Sequence, residues 1–408
     1  MADSRPAVID AAGASLVASL PARVRPNLKL IGLLALGHLV IDVNQGSLSA
    51  ILPSLKNLHG LTYAQAATIV LIANLTSSIV QPLFGYLSDQ TARRWLLPVS
   101  IALSGLGLAF IGIAPGYGTI LALVVVAGLG VAAWHPEGYK TATGVAGDRK
   151  ATAIGWFSLG GNVGIALGPP VITTLVASLG MAGTLGMLGP SVVMAVLILC
   201  ALPGFGRAAA TPRASVGTAR GVDMRGAMAL LISVVMIRSW TTLGFATFVP
   251  FFYTDVLKQD PRMVGPLLFI FLGGGALGTV FAGPIADRIG ARTFIRWVFL
   301  VALPFGVLFL VTDGVLRLVM LGMFGAILTA SFSVSVVLAQ AYLPRHAGMA
   351  SGLIVGFAIG TGGVAVTLLG VVADHHGLST ALWISALLPI AGFAVARLLP
   401  APRVAQSR

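Results

Sequence analysis

The sequence is poor in charged residues and has almost no cysteine. Asp, Glu, Lys and Arg make up 9% of its 408 residues, and Glu137 is the one glutamate. Ordinary soluble domains carry roughly 25% charged residues, so the composition argues against such a domain. The single cysteine, Cys200, excludes an internal disulfide and gives no information about the redox compartment.

What the sequence has instead is a series of long apolar runs, in a chain that is 57% hydrophobic. A bilayer core of about 30 Å needs about 20 apolar residues in a helix, and the runs have that length. Twelve are present, at 28–54, 63–87, 95–114, 118–143, 150–178, 181–202, 225–257, 262–286, 293–312, 315–341, 347–373 and 378–399. The ten-residue alternation typical of a membrane β-barrel does not occur in the sequence. We therefore predict an all-α membrane protein with twelve transmembrane helices.

The net charge of +13 does not require a nucleic-acid partner, because the basic residues fall in short connections and not on one face. Twenty Lys and Arg residues lie on one side of the predicted membrane, four on the other, and Arg238 within a helix. The positive-inside rule then places both termini on the cytoplasmic side of the membrane. We predict that the membrane is a bacterial inner (plasma) membrane and that the chain crosses it many times. The first residues have no basic start followed by an apolar core, so we expect a disordered cytoplasmic tail and no cleavable signal peptide.

A charged turn between two apolar runs, Gly85–Arg94, recurs as Gly283–Arg292, and its aspartates, Asp89 and Asp287, are 198 residues apart. Prolines and glycines repeat at nearly the same offset, which indicates a duplicated chain. We predict two pseudo-symmetric six-helix bundles, 28–202 and 225–400. A cytoplasmic linker at 203–224 would join them, with tails at 1–27 and 401–408.

These features resemble the major facilitator superfamily. The turn residues that carry the resemblance are Gly85, Asp89, Arg93 and Arg94, and in the second copy Gly283, Asp287, Arg288 and Arg292. The spacing of Gly155, Gly164, Gly168 and Pro169 is similar to the antiporter motif of that superfamily. Further segments resemble its fosmidomycin-resistance efflux transporters: Trp134-His135-Pro136-Glu137, Gly160-Gly161-Asn162, Leu343-Pro344-Arg345 and Gly348-Met349-Ala350-Ser351-Gly352. The resemblance implies proton-driven export of a small molecule, with an anionic phosphonate antibiotic as a candidate, and a gating role for the two turns.

Asp42 is the leading candidate for a proton carrier. It lies 14 residues into the first predicted helix, which is about 21 Å of helix. His38, Asp42, Gln45 and Ser49 form one polar stripe on this helix, and the stripe must face a cavity or another helix, because lipid would not tolerate it. A structural ion pair is the alternative reading. Glu137 is the second candidate for a proton carrier. The alternative is that Glu137 forms an ion pair with Lys140 or Arg149.

Arg238 is the leading candidate for a substrate contact, because it lies 13 residues into the seventh predicted helix and keeps its charge in every state. The 197-residue repeat offset maps it beside Asp42, so we expect the two side chains to exchange partners as Asp42 takes up a proton. A permanent ion pair is the alternative. The other predicted substrate contacts are His38, His135, Gln45, Asn162 and Trp240.

We predict no metal site, because no three ligand residues share a helix face. No Walker lysine motif occurs, so we expect no ATP-driven transport and no cofactor. The predicted function is a monomeric proton-coupled antiporter for a small anionic or amphipathic compound, with a sugar or metabolite carrier or a proton symporter as the alternative. An intramembrane enzyme or a non-transporting receptor, from other classes, is disfavoured because the sequence offers no nucleophile–base pair and no appended soluble domain.

Overall fold

The computed structural model describes residues 26–90, 93–147, 149–208 and 222–402. Most of the predicted N-terminal tail (1–25), the centre of the predicted linker (209–221) and the last residues (403–408) lie outside these ranges. All regular elements in the described ranges are helices.

Long apolar helices make up nearly all of the described chain. We number them α1 Leu28–His59, α2 Tyr63–Leu87, α3 Leu96–Ile111, α4 Tyr117–Gly144, α5 Lys150–Leu179, α6 Leu188–Ala208, α7 Arg225–Val256, α8 Val264–Ile289, α9 Ala291–Val311, α10 Gly314–Tyr342, α11 Met349–His376 and α12 Leu378–Arg397. Within the described ranges, ten spans are long and apolar enough to cross a membrane; one of them, Ala153–Gly206, takes in both α5 and α6, and α3 is a shorter apolar helix. The protein is an all-α membrane protein, and its helix number is consistent with the predicted twelve.

The sixth helix begins later than the apolar run predicts. Residues Gly180–Met187 form a 3-10 helix, and α6 starts at Leu188. A β-carbon on Gly183 would meet the backbone carbonyl of Leu175, so this glycine-rich turn folds closely back on the end of α5. Helix α6 then continues to Ala208, into the first residues of the predicted linker.

The two halves of the chain contact each other mainly through two helix pairs, α2 with α11 and α5 with α8, and less extensively through α1 with α7. Glycines allow the close approach. A β-carbon on Gly363 would lie 2.8 Å from Leu71 Cα, and one on Gly265 would lie 2.9 Å from Pro170 Cα. Such contacts between small residues are a common way for membrane helices to pack.

Polar contacts join the halves at the end of the molecule where α1 finishes and α2 begins. Asp374 accepts hydrogen bonds from the backbone N–H groups of Tyr63 (2.8 Å) and Ala64 (2.9 Å). The Tyr63 hydroxyl donates to Asp255 (2.8 Å), and Lys56 pairs with the same carboxylate (3.3 Å). This end, which we call the latched end, is therefore held shut by groups from both halves. It is the side that the charge distribution predicts to be outside the cell.

Candidate functional site

The site begins with the close contact between α1 and α5. β-Carbons on Gly160, Gly164 and Gly168 would meet the carbonyls of Ala35, Leu39 and Val43 on α1. The two backbones thus touch at three points over about two helical turns, which fixes the position of the polar stripe of α1. Gly164 and Gly168 of the predicted antiporter motif belong to this buried contact, and Pro169 is buried with its carbonyl near Gly265 of α8, whereas a β-carbon on Gly155 would meet no atom within 4 Å.

Two side chains of this stripe meet a third from α4. His38 Nε2 is 3.4 Å from Asp42 Oδ2 and 3.3 Å from His135 Nε2, and His135 Nε2 is 3.9 Å from Asp42 Oδ1. His38 and Asp42 are buried, with 3% and 6% of their surface exposed. We call these three residues the His–Asp–His cluster. They share no single helix face, as predicted, but two helices bring them together, and all their ligand-type atoms lie within 4.8 Å of one another.

The hydrogen bonds of the two imidazoles define where their protons are. His38 Nδ1 donates to the carbonyl of Phe157 (2.8 Å), and His135 Nδ1 donates to the carbonyl of Val131 (2.9 Å), since a carbonyl can only accept. In the neutral rings, both Nε2 atoms are then acceptors, and they face each other and a carboxylate. A hydrogen bond between the two Nε2 atoms therefore needs one more proton than the neutral rings carry.

A central cavity of about 240 Å³ lies one helical turn beyond the cluster. Gln45 and Ser49 continue the stripe of α1 into its wall, and Val131, whose carbonyl holds His135, also lines it. Residues from the second half, among them Leu243 and Ile359, complete the lining. The predicted polar stripe thus has two environments. His38 and Asp42 lie in a contact between helices, and Gln45 and Ser49 line a cavity between the halves.

Arg238 of α7 is buried, with 6% of its surface exposed. Its Nε atom has no hydrogen-bond partner among the described residues, and its guanidinium carbon lies 5.5 Å from the centre of the Phe332 ring. Leu243, which lines the cavity, follows five residues later on the same helix, about 7.5 Å along its axis. A buried cation without an acceptor is costly, so this position is suited to an anion.

Asp42 and Arg238 form no ion pair in the described structure; the neighbours of Asp42 are the two histidines. The expected exchange of partners between Asp42 and Arg238 is therefore not seen in this conformation. The repeat offset relates equivalent positions of the two halves, and equivalent positions need not be in contact.

The other predicted site residues are spread around the cavity and its surroundings. Glu137 is buried on α4, two residues after His135. Gln45 on α1 is exposed and lines the cavity, whereas Asn162 on α5 is exposed but is not among the residues that line it. The indole N–H of Trp240 donates to the Thr361 hydroxyl (3.1 Å), which links α7 to the middle of α11.

The repeated turns lie at the end opposite to the latched one. Gly85 and Asp89 fall at the end of the second span, and the side chain of Asp89 lies outside the described part of the structure. Asp287 and Arg288 are exposed, and Asp287 makes no hydrogen bond or ion pair with the described residues. Arg292 instead donates to the carbonyl of Leu399 (3.4 Å). A contact between Asp287 and the start of a neighbouring helix, which a gating role could use, is thus not formed among the described residues.

The sequence analysis missed the groups of the latched end. Asp374 supplies the partners for two N–H groups at the start of α2, and Thr62 supplies the partner for a third, from Gln65 (3.1 Å). A carboxylate at a helix N-terminus is favourable, and here it comes from the opposite half. Sequence alone shows Asp374 only as a solvated residue beside two histidines.

Comparison with known proteins assigns the family. The sequence profile of the Major Facilitator Superfamily matches residues 34–354. The chain is 31% identical over 385 residues to the fosmidomycin resistance protein of Escherichia coli (strain K12), covering 91% of this chain and 92% of that protein. It is also 31% identical over 389 residues to the MFS-type transporter YfnC of Bacillus subtilis (strain 168), covering 92% and 93% of the two chains.

Solved structures show the same fold at low sequence identity. A variant of the nucleoside transporter NupG superposes with a TM-score of 0.77 at 14% identity, over 91% of this chain and 100% of that one. A bacterial homolog of the human lysosomal transporter Spinster, inward-facing and unoccupied, gives 0.72 at 14% identity, over 93% and 97%. By its profile, its relatives and its fold, this chain belongs to the Major Facilitator Superfamily of membrane transporters and resembles the fosmidomycin-resistance proteins within it.

Proposed function

We propose that this protein is a proton-coupled exporter that exchanges protons for a small anion across the bacterial inner membrane. The observation that carries the proposal is that two groups lie one to two helical turns from one central cavity, although neither group lines it. The first half holds a cluster that needs an extra proton, and the second half holds a buried arginine without an acceptor among the described residues. The protein would work as a monomer, with both termini in the cytoplasm.

The anionic substrate is supported by Arg238. Arginine can hold a carboxylate or a phosphonate through two parallel hydrogen bonds, and it stays charged throughout the cycle. A relative at 31% identity is named for fosmidomycin resistance, so a phosphonate of that type is the first compound to test. Gln45, Asn162 and Trp240 are the neutral contacts that we propose for the rest of the ligand.

Proton transfer is assigned to the His–Asp–His cluster, with Asp42 as the carrier and Glu137 as the second site. The cluster is buried in the first half and lies one turn from the cavity, and we assign proton entry to His135 because its side chain is 19% exposed. The histidines then have two roles, since they hold the proton beside Asp42 and present polar edges to the ligand.

Alternating access follows from the contacts between the halves. The hydrogen bonds of the latched end close the predicted outer side, and Asp287 in the second repeated turn makes no hydrogen bond or ion pair with the described residues. We propose that export proceeds as the halves rock, so that the latch opens while Asp89 and Asp287 form new contacts with helix N-termini.

Transport in proteoliposomes tests the proposal. An antiporter accumulates the anion inside vesicles whose lumen is more acidic than the bath, whichever way the protein is inserted, and a symporter does so under the opposite gradient. We expect uptake of labelled fosmidomycin under the acidic-lumen gradient and none of a neutral sugar. Asp42→Asn should lose gradient-driven uptake and keep anion binding. Full gradient-driven uptake by that variant would reject Asp42 as the carrier, and sugar uptake would favour the metabolite-carrier alternative.

A susceptibility panel in cells gives an independent measure. Cells that produce the protein should survive higher concentrations of a phosphonate antibiotic than cells that lack it, and a proton uncoupler should remove the difference. Equal survival with and without the uncoupler would show that the proton gradient does not drive resistance.

A further inference from the structure

The His–Asp–His cluster has the geometry of a metal site as well as of a proton site. A tetrahedral ion with ligands at about 2.0–2.1 Å keeps its ligand atoms about 3.3–3.4 Å apart. The distances from His38 Nε2 to His135 Nε2 and to Asp42 Oδ2 are 3.3 and 3.4 Å. His135 Nε2 lies 3.9 Å from the other oxygen of the carboxylate, Asp42 Oδ1. One ligand atom from each residue lies within 4.8 Å of the other two, so an ion at the centre would require the Asp42 carboxylate and the His135 ring to move closer together.

The surroundings orient all three groups towards that centre. Metal-bound histidines usually donate their second N–H group to a carbonyl or a carboxylate, which fixes the ring and leaves one nitrogen for the ion. Both histidines do so here, through the carbonyls of Phe157 and Val131. Gly161 provides the space, because a β-carbon there would lie 2.6 Å from His38 Nε2 and 2.7 Å from Asp42 Oδ2.

The cluster also lacks a partner that a cation would supply. Asp42 is 6% exposed, and its Oδ1 atom has no hydrogen-bond partner among the described residues. It faces two nitrogen lone pairs, so three acceptors converge on one point. A buried, unpartnered carboxylate that faces two imidazole nitrogens is a stronger indication than a group of acidic residues on a surface.

The ligand types select the ion. Two imidazoles and one carboxylate suit Zn²⁺ and its late first-row neighbours, whereas Mg²⁺ and Ca²⁺ prefer oxygen ligands in larger number. Three protein ligands leave one position of a tetrahedron open, and the partial exposure of His135 leaves room for water or an anion there.

We propose that His38, Asp42 and His135 form a binding site for one late first-row divalent cation of the Zn²⁺ class. The site lies wholly within the first half of the chain, so it needs neither the substrate nor Arg238. A bound ion occupies the position that the proposed proton would take, so micromolar Zn²⁺ should inhibit transport if the proposed proton coupling is right. Binding itself is independent of that coupling, and the two can fail separately.

Binding of Co²⁺ to purified protein without a histidine tag tests the site. Tetrahedral Co²⁺ coordination gives intense visible absorption, and Zn²⁺ should abolish that absorption by displacement at one ion per chain. His135→Ala and Asp42→Asn should each weaken Co²⁺ binding at least about tenfold. The matched control is the double variant His375→Ala/His376→Ala, which removes two exposed histidines of α11 and should bind Co²⁺ as the unaltered protein does.

Gly161→Ala provides a variant that keeps every ligand residue. Its methyl group should weaken Co²⁺ binding, while Gly32→Ala, where a β-carbon would meet no atom within 4 Å, should not. The proposal is overturned if Co²⁺ shows no tetrahedral spectrum, or if binding is lost in the His375→Ala/His376→Ala control. It is also overturned if binding persists in both folded cluster variants, as judged by size-exclusion chromatography and circular dichroism.

Discussion

Replacing Arg238 by methionine should stabilise the protein and abolish its affinity for the anion. Two buried arginines in the second half make a matched comparison. Arg317 donates to the Thr312 carbonyl (2.6 Å) and to Asp313 (2.7 Å), whereas among the described residues the Arg238 guanidinium has only the Phe332 ring, at 5.5 Å. The same change, Arg→Met, therefore removes a satisfied cation at one position and an unsatisfied one at the other.

The magnitudes follow from these contacts. An ion buried without a partner costs several kcal/mol, and a desolvated cation–π contact returns about 2 kcal/mol, so Arg238→Met should gain about 1–4 kcal/mol of stability. Arg317→Met loses two hydrogen bonds made by a charged group and should cost about 1–3 kcal/mol or more. In thermal unfolding, Tm should rise by at least about 2 °C for the first variant and fall by a similar amount for the second.

The assay is tryptophan fluorescence during heating in detergent, with and without saturating anion. A ligand at about 100 times its Kd stabilises the folded protein by about 2.7 kcal/mol, so the unaltered protein and Arg317→Met should both show a clear upward shift of Tm. Arg238→Met should show none. If Arg238→Met lowers Tm as Arg317→Met does, or if it keeps the anion-dependent shift, then Arg238 is a structural cation and the anion site is elsewhere.

Three further predictions concern the cluster, the latch and a contact beside the linker. Gly161→Ala should reduce proton-driven uptake at least about tenfold, and Gly32→Ala should leave it unchanged, because only the first methyl group enters the cluster. Equal uptake by both variants would show that the cluster takes no part in proton coupling. Asp374→Asn weakens two charge-assisted hydrogen bonds worth about 1.5–3 kcal/mol each. In a Cys200→Ser background, labelling of a single cysteine introduced at the latched end should therefore increase. Unchanged labelling would show that the contact does not hold this end shut. At Asp223, desolvation alone would raise the pKa, but hydrogen bonds from the Arg345 N–H and from His346 hold the pKa below its usual value. The contact therefore stabilises the fold above the unfolded pKa of about 3.9 and is lost as the pH falls through the folded pKa. Thermal scans of Asp223→Asn should differ from the unaltered protein at pH 7 and converge with it in acid; a difference that persists in acid would contradict this.

The transmembrane helices could be predicted because their signal is local. The length of an apolar run and the loss of that run at a charged turn define a helix without knowledge of its neighbours. The late start of α6 was missed for the opposite reason, since the 3-10 turn depends on the packing of Gly183 against Leu175. Apolarity is the same on both sides of that boundary.

The part of the site that depends on local sequence was predicted, and the part that depends on tertiary contacts was not. The stripe of His38 and Asp42 is visible in the sequence because helical periodicity places both on one face. The contact of this stripe with His135 is not visible in the sequence, because His135 lies 97 residues after His38. Only the folded bundle brings the two imidazole nitrogens to 3.3 Å. Asp374 was missed on the same grounds, since its partners, Tyr63 and Ala64, lie more than 300 residues away.

The separation of Asp42 from Arg238 bears on the direction of coupling. Two opposite charges 4 Å apart interact by about 4 kcal/mol at an effective dielectric constant of 20, which corresponds to about a thousandfold. If Asp42 held Arg238 directly, protonation of Asp42 would free the arginine, and the anion would bind most tightly together with the proton, as a symporter requires. Asp42 pairs with His38 and His135 instead, so that strong positive linkage is removed, which suits an exchanger that must not carry both ligands at once. Anion affinity, measured by equilibrium dialysis across the pH range where the protein stays folded, should therefore change by less than about tenfold. A thousandfold gain in affinity on acidification, abolished by Asp42→Asn, would refute the antiporter and establish the symporter on the same fold.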